Sequence, residues 1–110
     1  MEGFQVIDQY LLVRMPKEVD HHRAGYISQQ ADWYITQQEI NDIVFDFAQT
    51  QFMDSSGIGI LMGRYKKVSC FGGKIYVIHA DRHTKRLLSL AGLEHYVKIL
   101  EDNQNVSSGI

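Results

Sequence analysis

The sequence predicts an α/β domain, a mixed and mostly parallel sheet of about five strands that opens with an antiparallel pair, in the order β-β-α-β-α-β-α-β. Three observations lead there. Short apolar runs alternate with segments whose apolar residues recur every three or four positions, the period of a helix with one buried face. The runs at 42–47 and 74–79 are apolar almost throughout, as in strands covered on both sides. The first two runs are separated only by Asp8-Gln9, a tight turn that makes them a hairpin.

Phe4-Gln5-Val6-Ile7 and Tyr10-Leu11-Leu12-Val13-Arg14-Met15 form that hairpin. Asp20 then caps a helix with Ala24, Ile27, Ala31, Tyr34 and Ile35 on one face. Asp42 to Phe47 is a covered strand. A second helix follows Asp54-Ser55-Ser56, is expected to bury Ile58, Leu61, Met62, Tyr65 and Val68, and stops at Gly72-Gly73, which suit a left-handed C-terminal turn. Lys74 to His79 is the next covered strand. Asp81 caps a short helix with Leu87, Leu88, Leu90 and Ala91 expected inward, and Gly92-Leu93 has the form of a Schellman stop. Val97 to Leu100 closes the sheet as an edge strand. Single helices between strands imply right-handed parallel crossovers. Periodicity leaves open whether the helices cover one face or both.

The 110 residues suit one domain, and such a chain buries roughly 65% of its unfolded surface without needing staples. With 45% apolar and 22% charged residues it is not a disordered chain. A net charge of −2 supplies no basic face for a nucleic-acid backbone. The single cysteine, Cys70, cannot make an internal disulfide and is expected to be a buried thiol. The N-terminus carries Glu2 where a signal peptide needs basic residues, and no run approaches the ~20 apolar residues of a membrane span. The expectation is a cytoplasmic protein with no nucleic-acid or membrane partner.

The segment from Asp46 to Gly59 carries the most information. A covered strand ends, a short loop follows, and Asp54-Ser55-Ser56 opens a helix. Ligands usually meet an open α/β sheet at the carboxyl ends of its strands. The start of a helix has amides without internal partners and a dipole that favours negative charge. Asp54 or Ser55 is suited to cap those amides, which leaves the Ser56 hydroxyl free to point outward beside Gly57. The plainest reading of these residues is a cap and nothing more.

The octapeptide Phe52-Met53-Asp54-Ser55-Ser56-Gly57-Ile58-Gly59, followed by Leu61 and Gly63-Arg64-Tyr65-Lys66, resembles the signature of anti-sigma-factor antagonists of the STAS domain family. Further resemblances follow in family order from Phe4 to Leu100: Glu18-Val19-Asp20-His21-His22, Ile43-Val44-Phe45-Asp46-Phe47, Gly72-Gly73-Lys74, Lys85-Arg86-Leu87-Leu88 and Gly92-Leu93. The resemblance implies one STAS domain over residues 1–100, with a polar tail over 101–110. It implies a binding module and no enzyme. The unphosphorylated protein would bind an anti-sigma factor that is also a Ser kinase, releasing the sigma factor, and a PP2C-type phosphatase would reverse the modification. The position matching the phosphoacceptor is Ser56, with Ser55 as the alternative. Asp20, His21, Asp54, Ser55, Ser56 and Gly57 are the expected partner-binding residues. No cofactor is implied. Asp20-His21-His22 and Gly63 to Lys66 resemble the sporulation branch more than the stress branch. The alternative function is a small-anion or nucleotide sensor, or a scaffold, that phosphorylation does not regulate.

Three departures from the family pattern stand out. Lys17, preceded by Pro16, occupies a position where relatives have glycine. The ten mostly polar residues after Leu100 hardly supply the further amphipathic helix with which relatives end. Tyr26 and Trp33, seven apart and off the apolar stripe, suit either a flat surface position or a contact patch for a partner or a second copy, so the chain is expected as a monomer or weak homodimer. His21 and His22 point about 100° apart on a helix and lack a third ligand at zinc spacing, so no metal site is expected. Neither the Gly-x-Ser-x-Gly elbow nor a P-loop is present.

Overall fold

The structure, a computed structural model, describes residues 2–101. The expected tail over 101–110 falls outside these beyond Glu101, as does the question of a final helix. The strands of the main sheet are β1 (Phe4–Ile7), β2 (Tyr10–Arg14), β4 (Asp42–Asp46), β6 (Ile75–Ile78) and β7 (Lys98–Ile99), side by side in that order. β1 pairs antiparallel with β2, and every later neighbour is parallel. Asp8 turns the hairpin at φ 52°, a left-handed conformation that Asp tolerates better than most residues. The helices are α1 (His21–Gln37), α2 (Ser56–Ser69) and α3 (Arg82–Leu90), and a 3-10 turn spans Leu93–His95.

Each crossover advances the sheet by one strand in the same direction. A right-handed advance places every helix on one face. Phe4, Val13, Phe45, Val77 and Ile99 stand in one row across all five strands. This row joins Leu11, Ile43 and Ile75 in a core closed by Ile27, Ala31 and Tyr34 of α1, Ile60, Leu61 and Val68 of α2, and Leu88 of α3. Each of the larger side chains contributes about 2 kcal/mol by leaving water.

Two strands of two residues are additions to the expected series. β3 (Glu18–Val19) and β5 (Phe52–Met53) pair in parallel beyond the ends of β2 and β4. Their alternation, with Val19 and Met53 inward, is too short to register as a period. Leu90 and Ala91 turn outward, Leu90 to 75% exposure, because α3 lays only Thr84 and Leu88 fully against the core. Cys70 is exposed, not buried: it follows the last turn of α2, where its thiol donates to the Lys66 carbonyl. β6 ends at Ile78, since His79 takes a left-handed φ of 58° and brings its Nδ1 to 2.8 Å from Asp46 Oδ1. Gly72, at φ 84°, makes the expected left-handed turn after α2. A side chain at Gly73 would run into the Asn41 carbonyl.

Candidate functional site

The site is built where two parallel segments pass from strand to helix. After β2 the chain runs through Met15-Pro16-Lys17 into β3 and the Asp20 cap of α1. After β4 it runs through Phe47 to Gln51 into β5, Asp54 and α2. The two loops are bonded together. The Lys17 carbonyl accepts from the Gln51 and Phe52 amides at 2.8 and 3.1 Å, Pro16 accepts from the Thr50 hydroxyl at 2.8 Å, and Met15 accepts from the Gln49 side chain at 3.0 Å. Lys17 and Pro16 are therefore held by carbonyl contacts that need no glycine. The Asp54 amide then donates to the Val19 carbonyl at 3.1 Å, extending the β3–β5 pairing to the edge of α2.

Of the two candidate caps, Asp54 makes the bond. Its Oδ1 accepts from the Ser56 amide at 2.8 Å, whereas Ser55 is already helical and makes no side-chain cap. The Ser56 hydroxyl and the His21 amide favour its ionised form as well. These contacts, led by the Ser56 amide, hold its pKa below the ordinary carboxylate value. The next amides are engaged as well: Gly57 donates to the Asp54 carbonyl at 3.1 Å, and Ile58 and Gly59 donate to the Ser55 carbonyl at 3.1 and 3.4 Å.

Ser55 is exposed and Ser56 partly so, and His21 and His22 at the start of α1 are exposed. Asp20 accepts from the Arg23 amide at 3.0 Å and pairs with its guanidinium at 3.3 Å. Gly57 is buried, and a side chain there would collide with Met53, so it serves the seam between α2 and β5. The structure brings Asp20, His21, Asp54, Ser55 and Ser56 to one end of the sheet, around the β3–β5 pair. Tyr26 and Trp33 lie elsewhere on α1, 56% and 47% exposed, and Trp33 meets Tyr34 edge-on at 5.0 Å.

Sequence reasoning missed the link between α1 and α2. Arg64 is buried, and its Nε lies 2.9 Å from Asp32 Oδ1 in a contact too bent for a hydrogen bond. Lys67 approaches the other oxygen at 3.8 Å. Burial lowers the Arg64 pKa and the Asp32 charge opposes that shift. A cavity of about 620 Å³ lies at the opposite end of the strands among Tyr10, Asp42, Lys74 and Tyr76. Among the described residues no group of three His, Cys, Asp or Glu side chains is placed to hold a metal, and no helix is long and apolar enough to cross a membrane.

The family model of the STAS domain matches residues 4–105. An anti-sigma F factor antagonist of Paenibacillus polymyxa is 36% identical over 95 residues, covering 86% of this chain and 81% of that protein. Another, from Lysinibacillus sphaericus, is 23% identical over 92% of this chain and 86% of its own. The fold matches the unphosphorylated form of the anti-sigma factor antagonist SpoIIAA at a TM-score of 0.84 and 20% identity, covering 96% of this chain and 90% of that one. It matches the phosphorylated form of the Bacillus cell fate determinant SpoIIAA at 0.74 and 23% identity, over 96% and 95%. The chain belongs to the STAS domain family, and these relatives within it are anti-sigma factor antagonists.

Proposed function

We propose that this protein is an anti-sigma factor antagonist, a binding module and not an enzyme, acting in the cytoplasm as a monomer or weak homodimer. Its unphosphorylated form binds an anti-sigma factor that is also a Ser kinase and so releases the sigma factor. Phosphorylation of Ser56 switches it off, and a PP2C-type phosphatase restores it. The observation that carries this reading is the position of Ser56. It is the first residue of α2, partly exposed and oriented by Asp54, in a chain whose 36%-identical relative is such an antagonist.

The chemistry is a transfer between oxygens. Ser56 Oγ bonds to the γ-phosphorus of ATP as the bond to the β,γ-bridging oxygen breaks; ADP leaves, and the hydroxyl gives up its proton to the kinase or solvent. The product carries about −1.5 to −2 of charge and three acceptor oxygens. Set beside Asp54, that charge opposes any surface fitted to a neutral hydroxyl. Asp20, His21, Asp54 and Ser55 surround Ser56 and form the contact surface, with Gly57 packing beneath it. The rival reading, a small-anion or nucleotide sensor, needs free amides at the start of α2, and those of Ser56 to Gly59 are engaged within the protein.

Calorimetric titration with the anti-sigma factor tests the switch. Ser56→Asp should weaken binding at least tenfold, equivalent to about 1.4 kcal/mol, while the melting temperature stays within a few degrees of the parent. Phosphosite mapping after incubation with the kinase should find Ser56 rather than Ser55. Equal affinity of the parent and the phosphorylated protein would overturn the reading. Thermal stabilisation by nucleotide or phosphate, with no protein partner, would favour the sensor.

A further inference from the structure

The segment 47–51 carries the chain from β4 to β5 and so decides where the start of α2 stands. On the β2 side the Gln49 side chain, the Thr50 hydroxyl and the Gln51 amide fasten it to the carbonyls of Met15, Pro16 and Lys17. Within the segment the Thr50 amide donates to the Phe47 carbonyl at 3.0 Å. On the β6 side the Phe47 amide donates to the Ile78 carbonyl at 3.0 Å, and the Asp46 carboxylate meets His79. Asp46 Oδ1 accepts from the Ala48 amide at 2.9 Å and lies 2.8 Å from His79 Nδ1. A carboxylate can only accept, so the imidazole carries a proton on Nδ1 and donates it. His79 does this from a left-handed backbone at φ 58°, which is costly for a residue with a β-carbon and free of cost for glycine. Other charged groups nearby are turned elsewhere. Arg14, the Cα partner of Asp46 in β2, bonds to Gln5 at 3.4 Å, and Asp81 holds the Thr84 amide at 2.8 Å. Among the described residues, neither Lys17 nor Arg82 makes an ion pair within 4 Å.

We propose that His79 is a positioning residue for the functional site: by donating to Asp46 it holds the segment 47–51 against the end of β6 and so sets the stance of β5 and α2. Its consequence for partner binding rests on the functional reading above. A residue in a strained backbone persists where its surroundings hold it there, and here the bond to Asp46 does so. The His79 side chain is 47% exposed, so the contact adds little to global stability and its effect is local. Two substitutions separate the backbone of this residue from its side chain. Asparagine also tolerates the left-handed region, and its Nδ2 stands two bonds from Cβ, as the Nδ1 of histidine does. Glycine adopts the backbone more easily and has no donor to offer.

The test compares His79→Gly and His79→Asn with the parent, each as the full chain. Amide hydrogen exchange followed by NMR should show Ala48 and Thr50 exchanging at least fivefold faster in the glycine variant. In the asparagine variant both amides should stay near the parent rate, and the amides of β2 should be unchanged in either. Melting temperatures should remain within a few degrees of the parent, since glycine relieves the strain that the lost bond had offset. Calorimetric titration with the anti-sigma factor should find affinity reduced about fivefold by glycine and restored by asparagine. Parent-like exchange at Ala48 and Thr50 in the glycine variant overturns the proposal. Faster exchange with undiminished affinity overturns the positioning role. If the parent itself does not bind the anti-sigma factor, the functional reading falls, and the exchange rates still decide whether His79 holds the segment.

Discussion

Asp54 and Asp81 hold the starts of α2 and α3 by the same means. Asp54 accepts from the Ser56 amide and Asp81 from the Thr84 amide, both at 2.8 Å, and these bonds are the leading causes that depress each pKa. A carboxylate with a lowered folded pKa stabilises the fold above its unfolded value of about 3.9, and the gain is lost as pH falls through the folded value. Asp54→Ala and Asp81→Ala should each lower the melting temperature at pH 7, with the gap from the parent closing as thermal scans are taken from pH 4 towards pH 2. For Asp81→Ala the loss at pH 7 should be about 1 kcal/mol, the usual worth of a cap. Asp20 and Asp81 were legible as caps because each stands alone before an apolar period. Asp54 was not separable from Ser55, since both are good caps and only the backbone decides: Ser55 has already turned helical at φ −62°, ψ −14°.

Between α1 and α2, Asp32 faces the guanidinium of Arg64 and the ammonium of Lys67. Arg64 Nη1 lies buried with no hydrogen-bond partner among the described residues. Removing Asp32 leaves a buried guanidinium uncompensated, so Asp32→Ala should cost about 2 kcal/mol in denaturant unfolding, with Arg64→Met recovering most of it in the double variant. The pair also explains how α2 departs from its expected face. The apolar period pointed to Ile58, Leu61, Met62, Tyr65 and Val68; the buried stripe is Gly57, Ile60, Leu61, Arg64 and Val68. Arginine is ordinarily counted as outward, and no period reveals an acidic partner on another helix. β3 and β5 escaped notice for a different reason, because two residues hold one alternation and their pairing exists only once β2 and β4 are side by side.

The order of the main sheet, β1-β2-β4-β6-β7, was implied by runs that alternate with single helices, while the placing of all helices on one face follows only from every step going the same way. That order also puts the starts of α1, α2 and α3 at one edge of the molecule, each held by an aspartate. β4 sits at the centre with Ile43, Val44 and Phe45 almost without exposure, whereas β7 is two residues at the rim, tied by such bonds as Leu100 N–H to the Val77 carbonyl at 2.9 Å. Hydrogen exchange should therefore find the amides of β4 opening only with global unfolding and those of Ile99 and Leu100 exchanging at least tenfold faster. The same left-to-right order has a meaning for how the protein is made. The hairpin leaves the ribosome before the other strands of the sheet, and β4, β6 and β7 then arrive in turn at an edge already formed, so no strand of the main sheet has to wait for one not yet synthesised.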